Sequence, residues 1–542
     1  MNISFTDQPL LLLFVVAAVG YFIGKIRIKG SSLGVSAVLF VGLAFGAIDA
    51  DYNVPNIIFE LGLVFFVYSV GLSSGPAFFK SFKKNGIRDI AFVITMLMVS
   101  ALVAVGIYYL LGLDAASITG IYAGSSTNTP ALASVIDLVN QSEATNSNSL
   151  IEALVIGYTY SYPMGVIGVM IVLKFAEKLF KIDYEKEKET LRGKYALEEN
   201  LTSRAIRVTN PIMNGKSLRD LKKESGWNVL YSRIENKDGV SLSNWDTKLN
   251  VGDDIMVVGS NEMLDKVQAT IGEESDNIIK YDRREYDVRM IFVSKEHMAG
   301  RSINSLNLSE KYSAIITRIR RGDREILAKT DTVLEVGDRI RFVARRDDLD
   351  KLADLFGDSY FKSSQVNLFS FGLGIALGLL LGTITWPLPG GVSFKLGMAG
   401  GPLIVGLLLG ALRRTGPIIW TLPYGANVTL RQMGLIFLLA VIGLRSGNTF
   451  LNSLGAGSGL LIFAAGSFLS MVAAFFSLII GYKLFKIPFS LLLGFMSNQP
   501  AILDFATDMS KNNVPLIGYS LMFPIALVMK ILFAQVLYIL LS

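Results

Sequence analysis

Ten long apolar runs, split into two groups of five by a polar block, constrain this 542-residue chain more than any other feature. The first group covers residues 8–24, 32–48, 56–72, 88–112 and 151–175. The second covers 366–385, 396–412, 430–445, 458–481 and 514–541. Most approach the roughly 17–25 residues that a helix needs to cross a bilayer. Charged residues make up 18% of the chain, below the roughly one quarter usual in soluble domains. The expected fold class is therefore a polytopic α-helical membrane protein. The first run, PLLLLFVVAAVGYFIGK, lacks a basic leader and a clear small-residue cleavage site, so it reads as a retained helix.

Composition removes several function classes. The chain has no cysteine and a single histidine, His297, which excludes disulfides, thiolate chemistry and His-rich zinc sites. No nucleophile–histidine pair, phosphate loop or metal cluster appears, so neither enzymatic activity nor a cofactor is expected. The formal net charge of +6 fits Lys and Arg gathered in cytoplasmic loops, and no nucleic-acid partner is expected.

The chain divides into a membrane block at 1–180, a solvated linker helix at 181–203, a polar region at 204–363 and a second membrane block at 364–542. The membrane blocks resemble each other. ELGLVFFVYSVGLSSGPAFF (60–79) aligns without gaps with QMGLIFLLAVIGLRSGNTFL (432–451), STNTPA (126–131) with MSNQPA (496–501), and GYTYSYP (157–163) with GYSLMFP (518–524). Lys and Arg place loops 25–29 and 80–88 and the end of the first block inside. Segment 115–139 must then leave from and return to the outside, as a re-entrant hairpin. Segment 488–508 does the same from the cytoplasm. Each half thus has five crossings and one hairpin, and the odd number makes the halves inverted, a pattern typical of secondary transporters.

The polar region repeats at a spacing of 85 residues. Gly215, Arg233 and Val251-Gly252-Asp253 fall on Gly300, Arg318 and Val336-Gly337-Asp338. DDIMVVG and DRIRFVA read as strands, and NEMLDKVQATI and RDDLDKLADLF as helices. Two tandem α/β modules follow, at 204–283 and 284–363. Their L-x-VGD turns and their NGKSL and AGRSI motifs resemble the C-terminal subdomain of RCK (regulator of K⁺ conductance) domains. The resemblance permits a small regulatory ligand, while dimerisation is the alternative role. No strand–GxGxxG–helix is present, so NAD or ATP is not expected, while the resemblance leaves a cyclic dinucleotide open as the regulatory ligand.

The residues with transport chemistry sit in the two hairpins. Proline favours a helix start, small polar residues before it leave amides free, and a helix N-terminus attracts anions. Ser125, Ser126, Thr127, Asn128, Thr129 and Pro130 form one candidate wall, and Ser497, Asn498, Gln499 and Pro500 the other. Asp137 and Asp504 are candidates for a coupling cation or a substrate ammonium group; the alternative places them in water at the hairpin exits. Lys530, deep in PIALVMKILFAQVL, calls for a carboxylate partner or an anionic substrate, because a charge at mid-span costs about 2.5–3.5 kcal/mol on insertion scales. Arg445 and Glu60 lie nearer helix ends, where snorkelling accounts for them. Tyr158, Tyr160 and Tyr519 line the cavity or form an aromatic belt. Gly62, Gly71, Gly434 and Gly443 read as helix-packing positions.

Two membrane halves carrying TNTPA and SNQPA, joined through two RCK C-terminal modules, resemble the aspartate–alanine exchanger family of bacterial transporters. The resemblance spans nearly the whole chain. It implies a dimeric carrier in the bacterial inner membrane, with residues 181–363 cytoplasmic, that exchanges small anionic or zwitterionic amino acids or dicarboxylates by elevator-type alternating access. An RCK-regulated ion channel and a cation-coupled symporter are the alternatives.

Overall fold

The computed structural model describes residues 5–26, 34–49, 51–52, 54–84, 86–141, 147–184, 186–187, 201–275, 285–322, 324–387, 393–455, 457–498, 500–512 and 514–542. The linker helix expected at 181–203 falls mostly on 188–200, outside the described residues. Strand β1 already begins at Leu201, so that linker ends before residue 203. The chain forms two compact units. One comprises residues 1–197, 371–412 and 428–542, and the other residues 198–370 and 413–427.

The first unit is helical. Its first half contains α1 (Pro9–Gly24), α2 (Ala37–Ile48), α3 (Asn56–Lys84), α4 (Gly86–Leu111), α5 (Ala115–Ser125), α6 (Thr129–Gln141) and α7 (Ser147–Phe180). Among the described residues, five helices across the chain are long and apolar enough to cross a membrane, including 56–76 and 88–111.

The second unit is α/β. Its first module has β1 (Leu201–Val208), α8 (Leu218–Ser225), β2 (Leu230–Asn236), β3 (Gly239–Leu242), β4 (Asp254–Ser260), α9 (Asn261–Ile271) and β5 (Gly272–Glu274). The next has β6 (Tyr286–Phe292), α10 (Leu308–Tyr312), β7 (Ala314–Arg321), β8 (Arg324–Leu327), β9 (Arg339–Arg345) and α11 (Leu349–Phe356). Helix α12 (Tyr360–Ser364) follows. The sheet orders are β3-β2-β4-β1-β5 and β6-β9-β7-β8; read from the β8 edge, the second repeats the first. A bulge falls between Tyr231 and Arg233 in one and between Ile316 and Arg318 in the other, 85 residues apart. The contacts between modules are reciprocal. Arg233 donates to the Tyr286 carbonyl of β6 at 3.3 Å, and Arg318 donates to Ser203 Oγ of β1 at 2.8 Å. Paired contacts of this kind mark a twofold relation.

Residues 413–427 belong to this unit. Arg414 donates to the carbonyls of His297 and Ala299, each at 3.1 Å, and Ile419 joins the core built on β7 and β9.

The second half of the helical unit runs through α13 (Leu368–Thr383), α14 (Gly397–Leu412), α15 (Tyr424–Gly455), α16 (Ser458–Ile479), α17 (Phe489–Met496), α18 (Pro500–Ser510) and α19 (Val514–Leu541). Glycines set how the two halves meet. A Cβ on Gly62 of α3 would lie 2.8 Å from the Gly434 carbonyl oxygen of α15, and one on Gly434 would lie 2.6 Å from that of Gly62. A Cβ on Gly71 of α3 would lie 2.6 Å from the Leu403 oxygen of α14, and one on Gly443 of α15 would lie 2.5 Å from the Leu39 oxygen of α2. The second helix of each half therefore packs on the third helix of the other, through matched positions. FVGLAFGAI (40–48) and IVGLLLGAL (404–412) align without gaps, a repeat signal that the other three motif pairs do not include.

These approaches leave no room for a side chain. Gly443→Ala is expected to destabilise the helical unit by about 1–3 kcal/mol, the usual cost of overpacking. A lowered melting temperature in detergent checks it. Gly106→Ala, where nothing lies within 4 Å of the added Cβ, is expected to leave that temperature unchanged or raise it slightly.

Candidate substrate site at two helix breaks

The motifs STNTPA and SNQPA both fall where a helix is interrupted. Helix α5 ends at Ser125 and α6 starts at Thr129; α17 ends at Met496 and α18 starts at Pro500. In the first break, Thr127 takes a left-handed conformation (φ 48°), turning the chain. Asn128 then caps α6, its Oδ1 accepting from the Ala131 amide at 2.9 Å. Proline at the second position of α6 needs no amide partner there. The Thr127 hydroxyl is buried without a hydrogen-bond partner. Thr129 and Tyr158 share a hydroxyl–hydroxyl bond of 2.8 Å, which ties the start of α6 to α7. Ser125 donates to the Gly466 carbonyl of α16 at 3.2 Å.

Lys530 of α19 brings the two breaks together. Its ammonium donates to the Ser126 carbonyl at 3.3 Å and to Asn498 Oδ1 at 2.5 Å. The side chain is buried, with 4% of its surface exposed. Among the described residues no carboxylate lies within ion-pair distance of it. A buried cation held by two neutral acceptors, beside the positive start of α6, is an environment that favours an anion.

The other expected residues divide. Ser126, Asn128, Thr129 and Tyr158 are buried around the first break, and Ser497 is buried at the second, bonded to the Leu493 carbonyl at 2.7 Å. Gln499 and the side chains of Pro500 and Asp504 lie outside the described residues. Asp137 is 2% exposed and accepts from the Met398 amide at 2.7 Å, so it is not at a hairpin exit in water. It faces the first turn of α14, where a carboxylate complements the helix dipole. It stands nine residues along α6 from Asn128, roughly 13 Å by helical rise. Arg445 and Glu60 share Asn56: Arg445 donates to its Oδ1 at 2.9 Å, and its amide donates to Glu60 at 2.6 Å.

Two further carboxylates cap the helices ahead of the two breaks. Asp114 caps α5 through the Ser117 amide at 2.7 Å, as an Asp ahead of a helix commonly does. Helix α17 begins after Pro488, which has no side-chain acceptor. Glu187 supplies it, accepting from the amides of Phe489 and Ser490 at 2.7 and 2.8 Å and from Ser490 Oγ at 2.7 Å. Glu187 lies in a charged run after α7, and no local sequence signal connects it to residue 489.

A family model described as Predicted Permease Membrane Region matches residues 12–178 and 370–539. A TrkA-C domain model matches residues 288–357, the module of β6–β9. The chain is 46% identical over 535 residues to an uncharacterized transporter of Geobacter sulfurreducens, covering 98% of both chains. It is 40% identical to one of Symbiobacterium thermophilum, again over 98% of both, and 39% identical to one of Corynebacterium diphtheriae over the same shares.

Proposed function

The chain belongs to the family of predicted permeases defined by that membrane region, and from this premise we propose that it is a secondary carrier, not an enzyme, for a small carboxylate or amino acid. The observation that supports the reading is Lys530, which joins two helix breaks from different halves through Ser126 and Asn498. A substrate carboxylate would take over the ammonium from these neutral acceptors, and the freed start of α6 would add amide donors. Exchange is the favoured mode, because a site of this kind is neutralised by either of two anions in turn. The lysine and arginine distribution supports halves inverted across the bacterial inner membrane, each with five crossings and one re-entrant hairpin. In that arrangement the hairpins move as one body past a fixed barrier, and a homodimer supplies the scaffold.

The second unit carries regulation in this reading. The TrkA-C match covers one module, and the same order of four strands in the other, which adds β5 at one edge, supports a tandem pair on the cytoplasmic side that senses a small ligand.

Counterflow into proteoliposomes tests the proposal, with labelled aspartate, alanine and succinate outside and unlabelled counter-substrate inside. Flux that requires internal substrate is expected. Absence of flux for every anionic substrate overturns the carboxylate reading, and single-channel currents would favour a channel. Asn498→Ala removes an acceptor of Lys530, and Asn128→Ala removes the α6 cap, worth about 0.5–2 kcal/mol. Each is expected to abolish exchange while the protein elutes as a folded species in size-exclusion chromatography.

A further inference from the structure

Among the described residues of the two modules, from β1 to α11, two hydroxyls are buried and lack a hydrogen-bond partner: those of Tyr231 and Ser243, each 7% exposed. A buried hydroxyl without a partner is costly, and a bound polar group would offset that cost. Both residues line a cavity of about 480 Å³ between the two modules. That volume lies within the roughly 300–1,000 Å³ typical of small-molecule sites.

The lining is twofold in position and one-sided in chemistry. Lys222, Tyr231, Ser243 and Trp245 line it from the first module; 85 residues on, Asn307, Ile316, Ala328 and Thr330 line it from the second. Both unpartnered hydroxyls therefore face their counterparts as an isoleucine and an alanine. Two of the chain's four tryptophans, Trp227 and Trp245, stand on the first wall. The Lys222 ammonium sits 4.4 Å from the Trp245 ring centroid. Lys329 also lines the cavity, and no carboxylate is among its described lining residues.

We propose that this cleft binds one small anion bearing a single planar ring system, with the ring against Trp245 and Trp227 and the anionic group towards Lys222. The Tyr231 and Ser243 hydroxyls meet polar atoms of that ligand. Three of the paired positions are apolar on both walls (Leu218 and Ile303, Val229 and Ala314, Leu230 and Ile315), but a twofold-symmetric ligand does not match walls that differ in chemistry at Lys222, Tyr231, Ser243 and Trp245. The assignment rests on reading the modules as regulatory and names the chemistry of their ligand.

The test uses the full chain in nanodiscs, with adenosine 5′-monophosphate and indole-3-acetate as ring-bearing anions, followed by calorimetry and tryptophan fluorescence. Saturable binding of at least one probe is expected, at one site per chain. Lys222→Met and Ser243→Ala, two changes that leave the module cores intact, are each expected to raise Kd at least threefold. The uncharged ring (adenosine) and the ringless anion (inorganic phosphate) are expected to bind at least tenfold more weakly than the nucleotide. Failure of both probes to bind overturns the proposal, as does binding indifferent to both substitutions. Preference for a twofold-symmetric cyclic dinucleotide overturns the one-sided reading. Because binding is read without transport, a chain that binds the probe and carries nothing would refute the carrier and leave the cleft standing.

Discussion

Replacing Lys530 by methionine is expected to reduce initial exchange rates by about 10- to 100-fold, from the roughly 1.5–3 kcal/mol that a hydrogen bond to a charged group contributes. Methionine keeps the length and apolar stem and removes the ammonium. The Ser126 carbonyl and Asn498 Oδ1 then lose the donor that joins the two helix breaks, and an entering carboxylate meets no counter-charge. Removing a charge from a buried membrane position also removes its desolvation cost, so the variant is expected to insert and to fold. Counterflow rates normalised to protein recovered after size exclusion separate these effects. Lys530→Arg keeps the charge but spreads it over a planar fork with different donor directions. It is expected to retain part of the rate with a raised KM. Full activity in Lys530→Met would remove the ammonium from the site.

The apolar runs carried most of the helical architecture. Those at 8–24, 88–112, 396–412 and 514–541 correspond to helices beginning and ending within about four residues of the expected bounds, because a bilayer-length apolar segment has few other solutions. DDIMVVG and DRIRFVA became β4 and β9, since a period-two or continuous apolar pattern near Gly and Asp leaves little choice. Lys530, Asn128 and Asn498 were legible for a related reason: a buried charge and a polar interruption in an apolar run are each costly and stand out. What joins them was not. Nothing in the sequence says that Lys530 meets Asn498, because the pairing depends on how α19 is rotated against two broken helices. Glu187 capping a helix that starts at residue 489 is a contact across most of the chain. The α5 cap at Asp114 was within reach of local reasoning, because its partner is three residues away. For Asp137, burial removes the alternative of a solvated hairpin exit. Its acceptor role towards Met398 depends on packing between halves. The insertion of residues 413–427 into the second module left no compositional trace beyond two arginines that also satisfied the orientation rule.

Those arginines lead to the largest stability effect expected in the α/β unit, from Arg321→Leu. Arg321 binds Asp338 through two donors, each at 2.7 Å, donates to Glu335 at 2.5 Å, and reaches the Val333 carbonyl at 2.8 Å. Asp338 is fully buried and Glu335 is 18% exposed. Arg413 approaches Glu335 at 3.5 Å, bringing the segment after α14 into the same cluster. Burial pulls the Arg321 pKa down, but the Asp338 hydrogen bonds and the charges of Glu335 and Asp338 more than reverse it. Removing one member of a buried ion cluster leaves the others uncompensated, at a cost of about 3–5 kcal/mol. The expected result is early loss of amide-exchange protection across β6–β9 in the full chain, with the α1–α7 helices unaffected. The defect has a definite pH sign. Burial already raises the Glu335 carboxyl above its ordinary range, against the pull of Arg321 and Arg413, and deleting Arg321 raises it further. A folded-state pKa above the unfolded one means the native module binds the proton more tightly, so the variant gains stability as pH falls through that value. The gap between variant and parent is expected to narrow as pH is lowered from neutrality. Asp338→Asn in the Arg321→Leu background is expected to recover part of the loss at neutral pH by removing the charge left behind, and no recovery would mean that packing, not charge, held the cluster.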